Sequence, residues 1–246
     1  MPFPPETIVI MALVALVAYT ILGITGFGSA LVSIPLLAHV LPLTIVLPML
    51  VMVDFTATVT NGLKFRGDID LSELKRIVPA MSIGIIVGVF MLSQLPGTAL
   101  LPALGAGITI YGLYRLREPI AKRFISPSWG YVTGFAGGLA GGLFGIGGPI
   151  YASYMSRRSN NFSKMRATMA AIFTFSTGFR MIVFLIGGFL LDPDVWWAAA
   201  IIWPFMFIGL GIGHRLHGKL KTKQLSIFMS VLLTVSGLSL VMRAFT

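Results

Sequence analysis

Gly23-Ile-Thr-Gly26-Phe-Gly28-Ser29 and Gly142-Leu-Phe-Gly145-Ile-Gly147-Gly148 interrupt two apolar stretches, and Gly23, Gly26 and Gly28 each recur as glycine 119 residues later. Glycine accepts left-handed backbone angles and is a poor helix former, so each cluster reads as a helix break. A break repeated at a fixed offset inside hydrophobic sequence is the pattern of a membrane carrier built from two related halves.

The bulk composition agrees. The chain has 246 residues, 56% of them hydrophobic and only 11% charged, with mean hydropathy +0.92. Soluble domains carry about 25% charged residues, so an all-α polytopic membrane protein is expected in the lipid bilayer. The short alternating segments of a transmembrane barrel are absent. The net charge of +10 falls in short clusters between apolar spans, as in cytoplasmic loops, and does not point to nucleic acid. The absence of cysteine excludes disulfides, thiolate metal sites and cysteine nucleophiles, and no cofactor or metal is expected. The start Met1–Glu6 lacks a positive n-region, so the first span is expected to be retained.

Apolar segments lie near 6–22, 27–41, 42–61, 77–95 and 98–114, then near 129–143, 146–155, 167–188, 195–213 and 225–242. This gives about 8–10 helical segments. Those following the glycine clusters, 27–41 and 146–155, are short against the ~20 residues of a full crossing, so they read as half-helices or re-entrant arms, the alternative being that the glycines only let neighbouring helices pack closely. Basic clusters at Lys64–Arg76, Arg115–Arg123, Arg157–Arg166 and Arg215–Lys223 contrast with the turns at Ser93–Thr98 and 189–194, which contain neither Lys nor Arg. With all four clusters in the cytoplasm, the N-terminus is outside. The halves 1–122 and 123–246 then form two repeats of inverted topology. The likeness extends past the glycines: Thr58 matches Thr177 and Asn61 matches Arg180 at the offset of 119. At an offset of 125, Pro79, Met81, Gly84, Gly88 and Gly112 match Pro204, Met206, Gly209, Gly213 and Gly237.

A broken helix exposes backbone N–H groups at the positive end of its dipole, and two facing breaks make an anion site. Gly26, Phe27, Gly28 and Ser29, with the Thr25 hydroxyl, line the first; Gly145, Ile146, Gly147 and Gly148 line the second. Arg180 lies about 10 Å below the outer end of its span, where a charge is expensive. It reads as the countercharge for an anion, or as a structural pair or snorkelling side chain. Asp54, mid-span, reads as a proton-coupling carboxylate, or as a partner for Arg180 or for the Thr56 and Thr58 hydroxyls. Asn61 and Thr177 are further candidate lining residues. His214 and His217, at i, i+3 spacing beside a basic loop and without a carboxylate, read as interfacial and not as metal ligands. The glycine-rich run Gly137–Gly148 lacks the Lys-Ser/Thr of a P-loop. Trp196 and Trp197 read as an interfacial belt.

The segment Gly26-Phe-Gly28-Ser29-Ala-Leu-Val-Ser-Ile-Pro35 resembles the N-terminal signature of the sulfite exporter TauE/SafE family, also called the toluene-sulfonate uptake permease family. Gly145-Ile-Gly147-Gly148-Pro149 looks like its C-terminal counterpart, and the duplicated halves extend the resemblance over nearly the whole chain. The resemblance implies an inner-membrane secondary transporter of sulfite, sulfonates, sulfoacetate or related small anions, coupled to protons. Pro149 directly after the glycines, and Tyr154 where the first copy has Pro35, depart from the pattern.

The expected protein is therefore no enzyme: eight acidic residues, mostly in loops, do not supply a catalytic cluster. It is expected to bind its anion between the two breaks and to alternate by one repeat rocking against the other. A passive anion channel, or a carrier of non-sulfur organic anions, is the alternative. Which anion moves, in which direction, and in what oligomeric state are not legible in the sequence.

Overall fold

The computed structural model describes residues 3–26, 28–64, 69–117, 124–159, 161–216 and part of 231–242. Among the described residues the chain is helical, without strands. The helices are α1 Pro5–Thr25, α2 Ser29–Leu37, α3 Leu43–Lys64, α4 Leu71–Gln94, α5 Gly97–Arg117, α6 Trp129–Phe144, α7 Gly148–Arg158, α8 Phe162–Ile186 and α9 Pro193–Leu216. Helices α1, α3, α4, α8 and α9 are long and apolar enough to cross a membrane.

Local chemistry sets the helix ends. Pro5 and Glu6 open α1, where a missing N–H and a negative charge are both tolerated. Gly26 closes it with φ +84° and donates to Leu22 O at 2.7 Å, a left-handed cap. Gly28, φ +101°, then starts α2. The second break repeats this: Gly145, φ +70°, ends α6 and donates to Gly141 O at 2.9 Å. Asp70 caps α4, accepting from the Ser72 and Glu73 amides at 3.1 and 3.4 Å.

The second short arm folds back along α6. Tyr151, early in α7, lies where a side chain on Gly137 of α6 would project. Farther along, Tyr154 reaches back to Gly130 and donates to Pro127 O at 3.2 Å. Arg158 Nη1 donates to Ile125 O at 3.2 Å. The end of α7 is thus beside the start of α6.

The most extensive packing pairs α1 with α9 and α4 with α6. Both pairs approach backbone to backbone, which glycine alone permits. A Cβ on Gly88 would lie 2.6 Å from Leu139 O and 3.1 Å from the Gly142 Cα, and one on Gly213 would strike Thr20 O and come 2.8 Å from the Gly23 Cα. Gly84 meets Phe135 O as Gly209 meets Leu16 O, and Gly142 meets Ile85 O as Gly23 meets Leu210 O. Every partner in this set shifts by the same 119 or 125 residues. The Pro-x-Met-x-x-Gly-x-x-x-Gly register therefore places its glycines against the opposite half of the chain. Where α3 and α8 cross, Thr58 Oγ1 and Thr177 Oγ1 are 3.0 Å apart, and a Cβ on Gly178 would come 2.9 Å from the Phe55 ring. The turn between α8 and α9 runs through Gly187 and Gly188, the latter at φ +77°.

Candidate functional site

Asp54 is buried in the middle of α3 and is held by hydroxyls. Tyr19 Oη and Ser29 Oγ each donate to its Oδ1 at 2.9 Å. Tyr19 comes from α1 and Ser29 from the first turn of α2, so one carboxylate oxygen ties three helices across the first glycine break. Thr56 and Thr58 instead donate to Met52 O and Phe55 O, back onto their own helix. The expected hydroxyl network thus forms with other partners, because α3 threonines reach a nearby carbonyl more easily than a neighbouring side chain.

Arg180 lies six residues before the end of α8 and is 4% exposed. Its Nε and Nη2 are buried without any hydrogen-bond partner. Its Nη1 packs 2.8 Å from where a Cβ on Gly145 would be, and its Cζ sits 4.8 Å from the Phe184 ring centroid. Phe184 in turn stacks on Phe189, centroids 5.0 Å apart. Asp54 and Arg180 form no ion pair within 4.0 Å. A cation–π contact contributes about 2 kcal/mol when desolvated, whereas burying an ion costs several kcal/mol after relaxation. The guanidinium is under-compensated.

The two breaks address α8 at different levels. Arg166 Nε is 4.0 Å from the position of a Cβ on Gly26, 14 residues and about 21 Å along the helix from Arg180. Ile34 of α2 bridges toward the second break, its Cδ1 2.9 Å from the Gly145 Cβ position. Gly147 and Gly148 open α7 with no side-chain cap, and Pro149 occupies its first turn; Phe173 packs against Gly148. Ile146 is half-buried, its amide donating to Ala140 O at 3.4 Å. Thr25 Oγ1 bonds back to Ile21 O at 2.7 Å. Thr177 stands at the α3–α8 crossing against Thr58. Phe27 and the Asn61 side chain lie outside the described residues, as does His217. Tyr19, Ile34 and Phe184 escaped the sequence reading: each is apolar or aromatic within an apolar run and gives no polar signal.

A second polar cluster joins α4, α7 and α8. Glu73, 3% exposed, accepts from Arg158 Nε and Nη2 at 3.0 and 2.9 Å, from Arg76 Nη1 at 3.2 Å and from Tyr154 Oη at 2.6 Å. Asp70 pairs with Lys164 at 3.1 Å, and its amide donates to Thr168 Oγ1 at 2.9 Å. The Ser72 hydrogen bond, followed by Lys164, holds the Asp70 carboxyl well below the usual range, at about 2. Asp70, Ser72, Glu73, Arg158, Lys164 and Thr168 line a cavity of about 230 Å³ whose charges already pair with one another. Among the described residues no cluster of three potential metal ligands occurs.

Two helices broken at glycine thus meet one long helix, with a buried cation that has no carboxylate within 4.0 Å among the described residues. The chain belongs to the sulfite exporter TauE/SafE family, which its residues 11–240 match. It is similar to the probable inner membrane transporter protein TsaS of Comamonas testosteroni, 27% identical over 196 residues, covering 78% of this chain and 81% of that one. It is also similar to the probable sulfite/organosulfonate exporter TauE of Cupriavidus necator, 27% identical over 201 residues, covering 78% and 77%. No solved structure matches the chain.

Proposed function

We propose that this chain is a secondary transporter of small sulfur-containing or organic anions, and that Arg180 and the Gly145–Gly148 break hold the anion. The carrying observation is the buried Arg180 guanidinium, whose Nε and Nη2 have no hydrogen-bond partner, beside an uncapped helix start. An oxyanion there supplies the acceptors that Arg180 lacks and the negative charge that the N-terminal dipole favours. The name of the Cupriavidus necator relative, a probable sulfite/organosulfonate exporter, supports sulfite or a sulfonate as the class.

Asp54 is the proton-coupling group in this reading. Its charge is solvated by Tyr19 and Ser29 rather than spent on Arg180, so it opposes an incoming anion, and a proton on Asp54 removes that opposition. Proton and anion therefore bind together. The recurrence of the glycine contacts at offsets 119 and 125, and the meeting of Thr58 with Thr177, support two repeats over 1–122 and 123–246. The basic-loop rule supports inverted topology and an outside N-terminus, and the glycine-broken helices support alternating access across the inner membrane.

The test is Arg180→Gln with sulfite and p-toluenesulfonate, binding measured by calorimetry and stability by tryptophan fluorescence. Removing one partner of a desolvated charge pair costs about 2–5 kcal/mol, so affinity should fall at least about 30-fold. The ligand-free variant should be no less stable than the parent, because the cost of burying the ion outweighs the lost cation–π contact with Phe184. Unchanged affinity, or a ligand-free variant that melts well below the parent, would sink the assignment.

A further inference from the structure

The helices that pack most closely are not in the same half of the sequence. Helix α1 lies backbone to backbone on α9, and α4 on α6, through glycines that leave no room for a side chain. Close-packed interfaces of this kind do not slide, since moving one helix past the other drives backbone atoms into each other. The polar ties follow the same division. Asp54 fastens α3 to α1 and α2, and α3 also packs on α9. Glu73 fastens α4 to α7, Asp70 joins the start of α4 to α8, and α8 also packs on α4.

From these contacts we propose that the moving units of the transporter are two swapped bodies, one made of α1, α2, α3 and α9 and the other of α4, α6, α7 and α8. This rests on the transport reading above and replaces the expectation that one sequence repeat rocks against the other. Rocking whole repeats would tear both glycine interfaces apart at every cycle. Rocking the swapped bodies leaves them intact.

What lies between the swapped bodies is what a moving boundary needs. The ion pairs of Glu73 with Arg76 and Arg158, and of Asp70 with Lys164, all lie within the second body. Helices α3 and α8 pack on each other across the boundary, at the Thr58–Thr177 hydroxyl pair, Thr174 Oγ1 to Thr58 O at 3.4 Å and Phe55 against Gly178, with Ile34 against Gly145 and Arg166 near Gly26 beside them. Asp54 belongs to one body and Arg180 to the other, so the proposed proton and anion sites face each other across the boundary. The chain itself passes between bodies at equivalent places in the two halves: between α3 and α4, and through Gly187–Gly188 between α8 and α9. Gly188 at φ +77° suits a hinge.

The native chain contains no cysteine, so engineered pairs report without background. Arg76 Cβ lies 3.2 Å from the position of a Cβ on Gly130, close to the ~3.5–4.5 Å of a disulfide. An Arg76→Cys/Gly130→Cys disulfide joins α4 to α6: within one swapped body, but across the two sequence halves. In proteoliposomes, flux of sulfite or p-toluenesulfonate should agree within about twofold before and after oxidation. Flux lost on oxidation and restored by dithiothreitol would overturn the proposal.

Spin labels decide the same question without flux. Leu13 and Ile208 are exposed positions on α1 and α9, and Ile83 and Val132 on α4 and α6. Distances 13–208 and 83–132 should stay fixed on adding anion or changing pH, while 13–83 and 132–208 shift or broaden. The reverse pattern, equal change in all four pairs, or no change in any, would overturn the swapped bodies. A reduced protein that carries neither anion while the pH-driven distances follow the expected pattern would overturn the anion reading alone.

Discussion

Adding one methyl group to either glycine interface should loosen the protein measurably. In Gly88→Ala the new Cβ lies 2.6 Å from Leu139 O and 2.9 Å from Leu143 N, both backbone atoms, where ordinary contact begins at 3.4 Å. No side chain can rotate away, so α4 and α6 must part by nearly 1 Å. Overpacking of this kind costs about 1–3 kcal/mol, against which alanine returns at most about 1 kcal/mol of helix propensity. Gly209→Ala on α9 meets Leu16 O at 2.7 Å and should behave alike. The controls are Gly107→Ala on α5 and Gly211→Ala on α9, where a Cβ meets nothing within 4 Å; they should gain up to about 1 kcal/mol. With about 2–4 °C per kcal/mol at this chain length, Gly88→Ala and Gly209→Ala should melt several degrees below the controls. Tryptophan fluorescence on heating in detergent measures it. The packing account is refuted if Gly88→Ala melts at or above the parent while Gly211→Ala melts below it.

Other consequences can be checked singly. Asp54→Asn should abolish proton-driven accumulation while retaining anion exchange, with affinity no longer rising as pH falls; an unaltered pH profile in flux assays counts against coupling there. Tyr19→Phe leaves Asp54 with one hydroxyl donor instead of two, so it should alter the pH profile of uptake without lowering expression; a profile identical to the parent separates Tyr19 from coupling. Glu73→Ala strands Arg158, and should cost about 3 kcal/mol, the low end for breaking a buried pair, because the Arg158 side chain keeps 23% exposure; thermal unfolding reads it. For Asp70 the folded carboxyl at about 2 lies below its unfolded value near 3.9. Its contribution is therefore complete above about pH 4 and lost as pH falls toward 2. The stability gap between the parent and Asp70→Asn should be constant from pH 7 to 4 and narrow below it.

The helices were legible because lipid leaves little freedom: apolar 129–143 becomes Trp129–Phe144, and the repeated glycines become left-handed caps at Gly26 and Gly145. Arg180 was legible because a charge so deep in an apolar run has few structural excuses. The surroundings of Asp54 were not. Tyr19 lies 35 residues away inside a uniformly apolar helix, and no local pattern marks which face of α1 meets α3. Glu73 and Arg158 were hidden for a related reason: both sit near helix ends, where a charge normally meets water, and only the folding back of α7 buries the carboxylate. Nothing in the glycine spacing said which helix would receive it. The Gly-x-x-x-Gly of α4 could have met α1 or α3 of its own half as well as α6.

Helix α6 bears on how the protein is made. Six of its 16 residues are buried glycines, which together forfeit about 5–6 kcal/mol of helix propensity relative to alanine. At about 24 Å it is also shorter than a full crossing, and α7 returns beside its start. During synthesis it is thus a weak insertion signal until α4 is there to receive it, and α4 emerges first. A fragment holding only residues 123–246 would lack that template, just as one holding 1–122 would lack α9 for α1. The two fragments should each be cleared by membrane proteolysis when made alone and rescue one another when made together, so the chain assembles by mutual scaffolding of its ends.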